Sequence, residues 1–292
     1  MDDIIGTINE NWLPREDTGG CSDVGINRPG NAILGHTEDA FAETLNHFYF
    51  ISAHVTPTPE DRANGAVEEH FTSLCYAGQL PGYTMSFNEH GQVFTINTLS
   101  PKALKPGHTP RTFMTRALLA ARNMNEADRC LLDKGLGVAN GFSVNMFWTN
   151  AAGKHQLRNI EVAPNLVGDS SLLHEKTFNE EALVHCNLYL RLPVVEVIGP
   201  IIDSSKVRLE LLRQHGKPTS RNDIADALSI TSGKEFTVFQ KKPDSTIKTI
   251  AVGIFDLEAR TWSVYVNEPN ASEPVAVLPM RFTELTCDDA AF

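Results

Sequence analysis

Three stretches of this chain read as strand, tight turn, strand, and together they restrict it to folds built on antiparallel sheet. Ser86 to Asn97 carries apolar and β-branched residues on both sides of Asn88-Glu89-His90-Gly91. Phe142 to Trp148 and Gln156 to Val162 flank Asn150-Ala151-Ala152-Gly153, and Thr249 to Phe255 with Thr261 to Val266 forms a third pair. Turns this short leave no room for a crossover helix, so the joined strands run antiparallel. Ala32 to Leu34 and Asn46 to Val55 add strands, the second rich in aromatic and β-branched residues.

Helices interrupt this pattern in pairs. Pro110 opens a helix over residues 111–120, in which Phe113, Ala117 and Ala120 fall at helical spacing. Asn125 is the expected cap for 126–134, which stops at Gly135. A second pair is predicted over 205–214, ended by Gly216, and over 220–228, capped by Ser220 or Asn222. Strand pairs plus helix pairs without βαβ alternation predict an α+β layered fold. The chain shows neither an internal repeat nor a domain linker.

With 292 residues the chain can bury a full core, and 36 acidic against 25 basic side chains leave a formal charge of -11. That charge repels nucleic-acid phosphate and anionic lipid, and it suits a neutral or weakly cationic small molecule. There is no zinc-type cysteine pairing, phosphate loop or dinucleotide fingerprint, so no metal or cofactor is expected. The five cysteines, Cys21, Cys75, Cys130, Cys186 and Cys287, are scattered and odd in number, which argues against a disulfide scaffold. No basic-then-apolar leader and no membrane-length apolar run is present, so a reducing, cytoplasmic location is expected.

The chemistry-bearing signal is Gly19-Gly20-Cys21-Ser22, with Asp39 eighteen residues beyond the cysteine. If the Gly20–Cys21 bond were cut, Cys21 would carry both a nucleophilic sulfur and a free α-amine, whose ordinary pKa of about 7.7 to 8.0 suits a base near neutrality. Glycine at position 20 leaves the scissile carbonyl open to attack. On its own, Gly-Gly-Cys reads first as a loop followed by a small buried hydrophobe.

Several longer stretches decide between these readings. Gly35-His36-Thr37-Glu38-Asp39-Ala40, Glu43-Thr44-Leu45-Asn46-His47, Ser73-Leu74-Cys75-Tyr76-Ala77-Gly78, Leu80-Pro81-Gly82-Tyr83-Thr84-Met85-Ser86 and residues 247–257 resemble the acyl-coenzyme A:6-aminopenicillanic acid acyltransferase family, a branch of the N-terminal-nucleophile hydrolases. The likeness runs from Cys21 to about Pro269 and is strongest to members that hydrolyse β-alanyl conjugates of biogenic amines. It implies a four-layer αββα sandwich, two stacked antiparallel sheets between helical layers. It also implies that residues 1–20 are an upstream propeptide, or a remnant of a small subunit that partners the catalytic domain, residues 21–292.

Carried over by position, the resemblance makes Cys21 the nucleophile and Asp39 the holder of its new α-amine. Asn187, in His185-Cys186-Asn187, becomes the donor to the oxyanion, an effect of about 3 to 4 kcal/mol in well-studied enzymes. Arg221 matches an arginine near the cysteine, although a surface arginine at a helix start fits the residues as well. Glu161 is a candidate acceptor for a substrate amine, and Tyr83 a candidate aromatic contact. His185 is expected to be structural, since strand neighbours face opposite ways. His36, Glu38 and His47 read as ordinary polar residues at strand edges. Asp23 departs from the more apolar stretch typical after the cysteine, and burying it unpaired would be costly. The implied function is self-processing followed by amide hydrolysis of β-alanyl-dopamine or β-alanyl-histamine. Acyl transfer to an amine and an unprocessed, non-catalytic amine-binding protein remain alternatives.

Overall fold

The computed structural model describes residues 20–233 and 235–285, so Cys287 and the segment upstream of Gly20 lie outside the described residues. Thirteen strands form two antiparallel sheets. The first has β1 (Ser22–Arg28), β2 (Asn31–Phe41), β10 (Leu183–His185), β11 (Ile247–Asp256), β12 (Thr261–Tyr265) and β13 (Ala276–Pro279), in the order β10-β1-β2-β11-β12-β13. The second follows chain order from β3 to β9: β3 (Phe48–Val55), β4 (Glu69–Tyr76), β5 (Met85–Asn88), β6 (Gln92–Thr98), β7 (Phe142–Thr149), β8 (His155–Ala163) and β9 (Leu172–Phe178). The three hairpins read from sequence are β5–β6, β7–β8 and β11–β12.

Antiparallel sheets commonly leave one face wet, but here adjacent strand residues are buried on opposite faces. Leu34, Val93, Phe147 and Phe255 point into the layer between the sheets, where they join Met85, Leu157 and Trp262. Their neighbours Ile33 and Ile254 pack outward, as do Phe94 and Met146 on the other sheet. Helices cover both outer faces. Helices α2 (Arg111–Leu118) and α3 (Met124–Leu132) lie on the second sheet through Met114, Leu118, Ala127 and Leu131. Helices α4 (Pro200–His215) and α5 (Arg221–Leu228) cover the first through Leu209, Leu212, Ile224 and Leu228, while the short α1 (Pro59–Ala63) buries nothing. The result is the αββα sandwich.

Element boundaries moved where turn chemistry or packing won. Helix α3 is capped by Asn123, whose side chain accepts from Glu126 N, two residues earlier than expected. In α2 the inward stripe is Met114 and Leu118, leaving Phe113 53% exposed. Ser220 caps α5 in a reciprocal box with Asp223. Helix α4 starts at Pro200, five residues ahead of the predicted start.

Candidate functional site

β1 begins one residue after Cys21 and lies between β2 and β10, so hydrogen bonds hold it on both sides. Its register sets Ser22 opposite Thr37 and Asp23 opposite His36. Because side chains alternate, Cys21 and Asp23 share the inner face of the sheet with His36 and Glu38. Four polar side chains therefore meet between the layers, where an apolar core would otherwise continue.

Cys21 is 8% exposed, and its Sγ lies 3.8 Å from Glu38 Oε2. His36 bridges two carboxylates, with Nε2 2.9 Å from Glu38 Oε2 and Nδ1 2.9 Å from Asp23 Oδ1. Burial opposes a charge on this ring, but Asp23 in contact with it, joined by Cys21 and Glu38, outweighs that cost and raises its pKa well above the usual value. The charged form of His36 is thus favoured where the ring is clamped between two carboxyl groups. Thr95 Oγ1 donates to Asp23 Oδ1 at 2.5 Å and Asn97 Nδ2 to its Oδ2 at 2.6 Å. The aspartate that looked costly in the sequence is fully buried and fully partnered. Tyr76 Oη donates to Glu38 Oε1, and Tyr83 stands near enough to influence the Tyr76 phenol electrostatically.

Burial, and next the Glu38 charge, push the Cys21 thiol up to about 11. In the uncut chain it is therefore a thiol at neutral pH and needs a base to become a nucleophile.

The opposite face of the same strand ends carries the second half of the site. Gly20 N donates to Asp39 Oδ2 at 3.1 Å, and Thr249 Oγ1 donates to Asp39 Oδ1 at 2.6 Å. Burial raises the Asp39 carboxyl to about 6 against the pull of Arg208 and Thr249, so it is largely ionised at pH 7. Asn187 is buried, with Nδ2 donating to Thr98 O at 3.0 Å and Oδ1 accepting from Arg208 Nη2 at 3.0 Å. A Cβ on Gly20 would stand 2.3 Å from Asn187 Oδ1 and 2.8 Å from Arg208 Nη2, so only glycine fits against this pair. The bond expected to be cut is pressed against the Asn187 side chain, whose amide oxygen faces Gly20 while its NH2 end turns to Thr98 O.

Two residues sit elsewhere than the sequence suggested. Arg221 does not reach the cysteine; its Nη2 donates to Tyr265 Oη at 2.8 Å, at the start of α5. The guanidinium beside Cys21 belongs to Arg208 of α4, which has no exposed surface. Its Nη1 donates to Cys21 O at 2.6 Å and Ser22 Oγ at 2.8 Å. Glu161 was a candidate for a substrate amine, but it is fully buried and committed: its oxygens accept from the backbone N–H groups of Leu190, Arg191 and Leu192 and approach His185 Nε2 at 3.4 Å. His185 in turn lies 3.0 Å from Asn97 through Nδ1. It belongs to a polar row, Asn97, Asn145 and Asn159, that runs through the second sheet from Asp23. His47 is exposed.

His36, Glu38 and Arg208 are the residues that sequence reasoning passed over. One signal was available: asparagines at 97, 145 and 159 in mid-strand, among residues such as Ile96, Val144 and Ile160. Asparagine is poor in strands unless a partner awaits it across the layer. Cys21, His36 and Glu38 also present donor atoms within 4.8 Å of one another, as a metal ligand set would. His36 already spends both ring nitrogens on Asp23 and Glu38, however, so an ion there would have to break that clamp. Among the described residues no helix is long and apolar enough to cross a membrane, and the four cysteines are free thiols.

Comparison with known proteins adds three findings. Residues 26–271 match the family model of acyl-coenzyme A:6-aminopenicillanic acid acyl-transferase. Over 267 residues the chain is 42% identical to the beta-alanyl-dopamine/carcinine hydrolase of Drosophila melanogaster, covering 90% of this chain and 69% of that protein. Among solved structures, a mutant conjugated bile acid hydrolase from Clostridium perfringens superposes with a TM-score of 0.49 at 9% identity, covering 92% of this chain and 98% of that one.

Proposed function

The chain belongs to the acyl-coenzyme A:6-aminopenicillanic acid acyltransferase family, and from that premise we propose that it is a self-processing cysteine amidohydrolase acting on β-alanyl conjugates of biogenic amines. The observation that carries this reading is the junction at Gly20 and Cys21. A glycine that tolerates no side chain, a cysteine at the head of a central strand, a carboxylate on the preceding N–H and a buried Asn–Arg pair converge there.

In the first stage Cys21 Sγ attacks the Gly20 carbonyl carbon and passes its proton to Glu38, the carboxylate 3.8 Å away. The Gly20 C–Cys21 N bond breaks as the C–S bond forms, and the nitrogen leaves as the α-amine with the proton that Glu38 hands on to it. Water then hydrolyses the thioester, releasing the upstream segment as a carboxylic acid and restoring the thiol. The second stage repeats this chemistry on substrate with the new amine as base. Asp39, which already accepts from the neighbouring N–H, holds that amine, and Asn187 donates from its amide to the oxyanion. Arg208 keeps Asn187 turned so that its NH2 end faces away from the guanidinium. The released amine takes a proton from the α-ammonium, and water resolves the acyl-enzyme to β-alanine. The hydrolase name of the Drosophila relative favours water over an acceptor amine at that last step.

Mass spectrometry of the purified full chain tests the reading alongside release of β-alanine from β-alanyl-dopamine. The expected result is a chain beginning at Cys21 that turns over the amide, and a Cys21→Ala variant that is uncut and inactive. An active chain with an intact Gly20–Cys21 bond overturns the processing step. A cut chain inert toward the amide overturns the substrate.

A further inference from the structure

The Drosophila relative is named for two substrates, a conjugate of dopamine and carcinine, the corresponding conjugate of histamine. A catechol and an imidazole have little in common as ligands. What the two molecules share is the acyl half: a carbonyl, two methylenes and a primary ammonium. Selectivity for that half must be read close to the nucleophile, because ordinary bond lengths of about 1.5 Å set the ammonium within about 4 Å of the carbonyl carbon. An anion that recognises it must stand beside the sulfur.

We infer that Glu38 is that anion: with Tyr76 and His36 holding its carboxylate 3.8 Å from Cys21 Sγ, it forms a subsite for an acyl group that ends in an alkyl ammonium. The inference rests on the amidohydrolase reading above and deepens it.

Three observations carry it. The first is elimination among the carboxylates around Cys21 and along the polar row beside it. Asp23 is taken up by His36, Thr95 and Asn97. Asp39 is taken by Gly20 N and Thr249 on the other face, where the new α-amine would lie. Glu161 is wrapped by three backbone N–H groups. Of these four carboxylates only Glu38 touches the sulfur.

The second is the state of its oxygens. A carboxylate offers about four acceptor positions, and Tyr76 and His36 occupy one each. The third donor is the Cys21 thiol, a weak one that is lost when the thiol ionises. Glu38 therefore gains an open acceptor position at the moment the nucleophile forms.

The third is charge. The cluster holds Asp23, Glu38 and Asp39 as anions against His36 and Arg208 as cations, which leaves one negative charge in excess. A thiolate would set a second negative charge directly beside Glu38, while the α-ammonium that takes its proton lies on the Asp39 side, and the carboxylate is one reason the thiol resists ionisation. A substrate ammonium seated against both carboxylate and sulfur offsets that repulsion. The substrate would then help to ionise the sulfur that attacks it, and a neutral acyl chain could not.

The test compares β-alanyl-dopamine with N-butanoyl-dopamine, which replaces the ammonium by a methyl group and keeps the chain length. The processed wild-type enzyme should prefer the charged amide by about 100-fold in kcat/KM, the scale of a desolvated charge pair. Glu38→Gln should bring that ratio to within about 5-fold of unity. A ratio that survives in Glu38→Gln overturns the inference, as does a wild-type enzyme that cleaves both amides equally. A wild-type enzyme that cleaves neither overturns the amidohydrolase reading and the inference with it. Where the variant does not fold or process, inhibition of the wild type decides: β-alaninamide should inhibit at concentrations at least about 10-fold below butanamide, and equal inhibition overturns the subsite.

Discussion

Arg208 uses all three of its nitrogens inside the protein: Nε to Ser204, Nη1 to Cys21 O and Ser22 Oγ, and Nη2 to Asn187 and Ser205. No water competes for these donors, because the side chain has no exposed surface. Removing it leaves a carbonyl, hydroxyls and an amide oxygen buried without their donor, each a desolvation cost. Arg208→Met should therefore destabilise the protein by about 3–5 kcal/mol and abolish processing. Arg221→Met, which breaks a bond to Tyr265 at the edge of α5, should cost no more than about 1 kcal/mol and leave processing intact. Urea denaturation together with mass spectrometry of both variants checks the pair. The two neighbouring helices offer three arginines, Arg208, Arg213 and Arg221, and spacing alone does not say which helix lies on the strand that follows the cysteine.

At the scale of elements, β2 forms one wall of the site because it is packed tightly on both faces. Its inner face presents Leu34, His36 and Glu38; its outer face presents Ile33, Gly35 and Asp39. A Cβ on Gly35 would fall 2.6 Å from both Ile224 Cγ2 and Leu228 Cδ1 of α5. Gly35→Ala should push that helix outward and cost about 1–3 kcal/mol, measured as a lower denaturation midpoint with an unchanged slope. The same outward shift should slow processing, since α5 and β1 are in direct contact. The three hairpins and the Ser220 cap were legible because the information is local: a turn residue, an alternation, a side chain reaching three residues along. The inward stripe of α2 was not, because Phe113 and Met114 are equally apolar and the tilt of the helix on its sheet chooses between them.

For the whole molecule, the layer between the sheets divides into an apolar half around Trp262 and Phe147 and a polar half from Cys21 to Glu161. Glu161 ties the far end of that polar row to residues 190–192. Burial pushes its carboxyl up, but His185 and the backbone N–H groups of Leu192 and Leu190 outweigh it and bring the pKa down to about 2. A carboxyl depressed on folding contributes stability that is complete above its ordinary value of 4.5 and is lost as the pH falls toward 2. Glu161→Gln should accordingly be less stable than wild type by about 3 kcal/mol at pH 7. The gap should narrow steadily between pH 4.5 and 2.5, and urea titrations at several pH values check it. A constant gap would mean that packing rather than charge explains the loss.

The sequence by itself determined the antiparallel hairpins, the helix pairs, the Gly20–Cys21 junction with Asp39, and the family, because each is written in residues adjacent along the chain or in runs long enough to be specific. The tertiary structure alone decided that His36 and Glu38 line Cys21, that Arg208 rather than Arg221 approaches it, and that Asp23 is satisfied. Those outcomes depend on strand register and on which helix covers which face. Register is fixed by the summed burial of both sheets, a quantity that no single stretch of sequence contains.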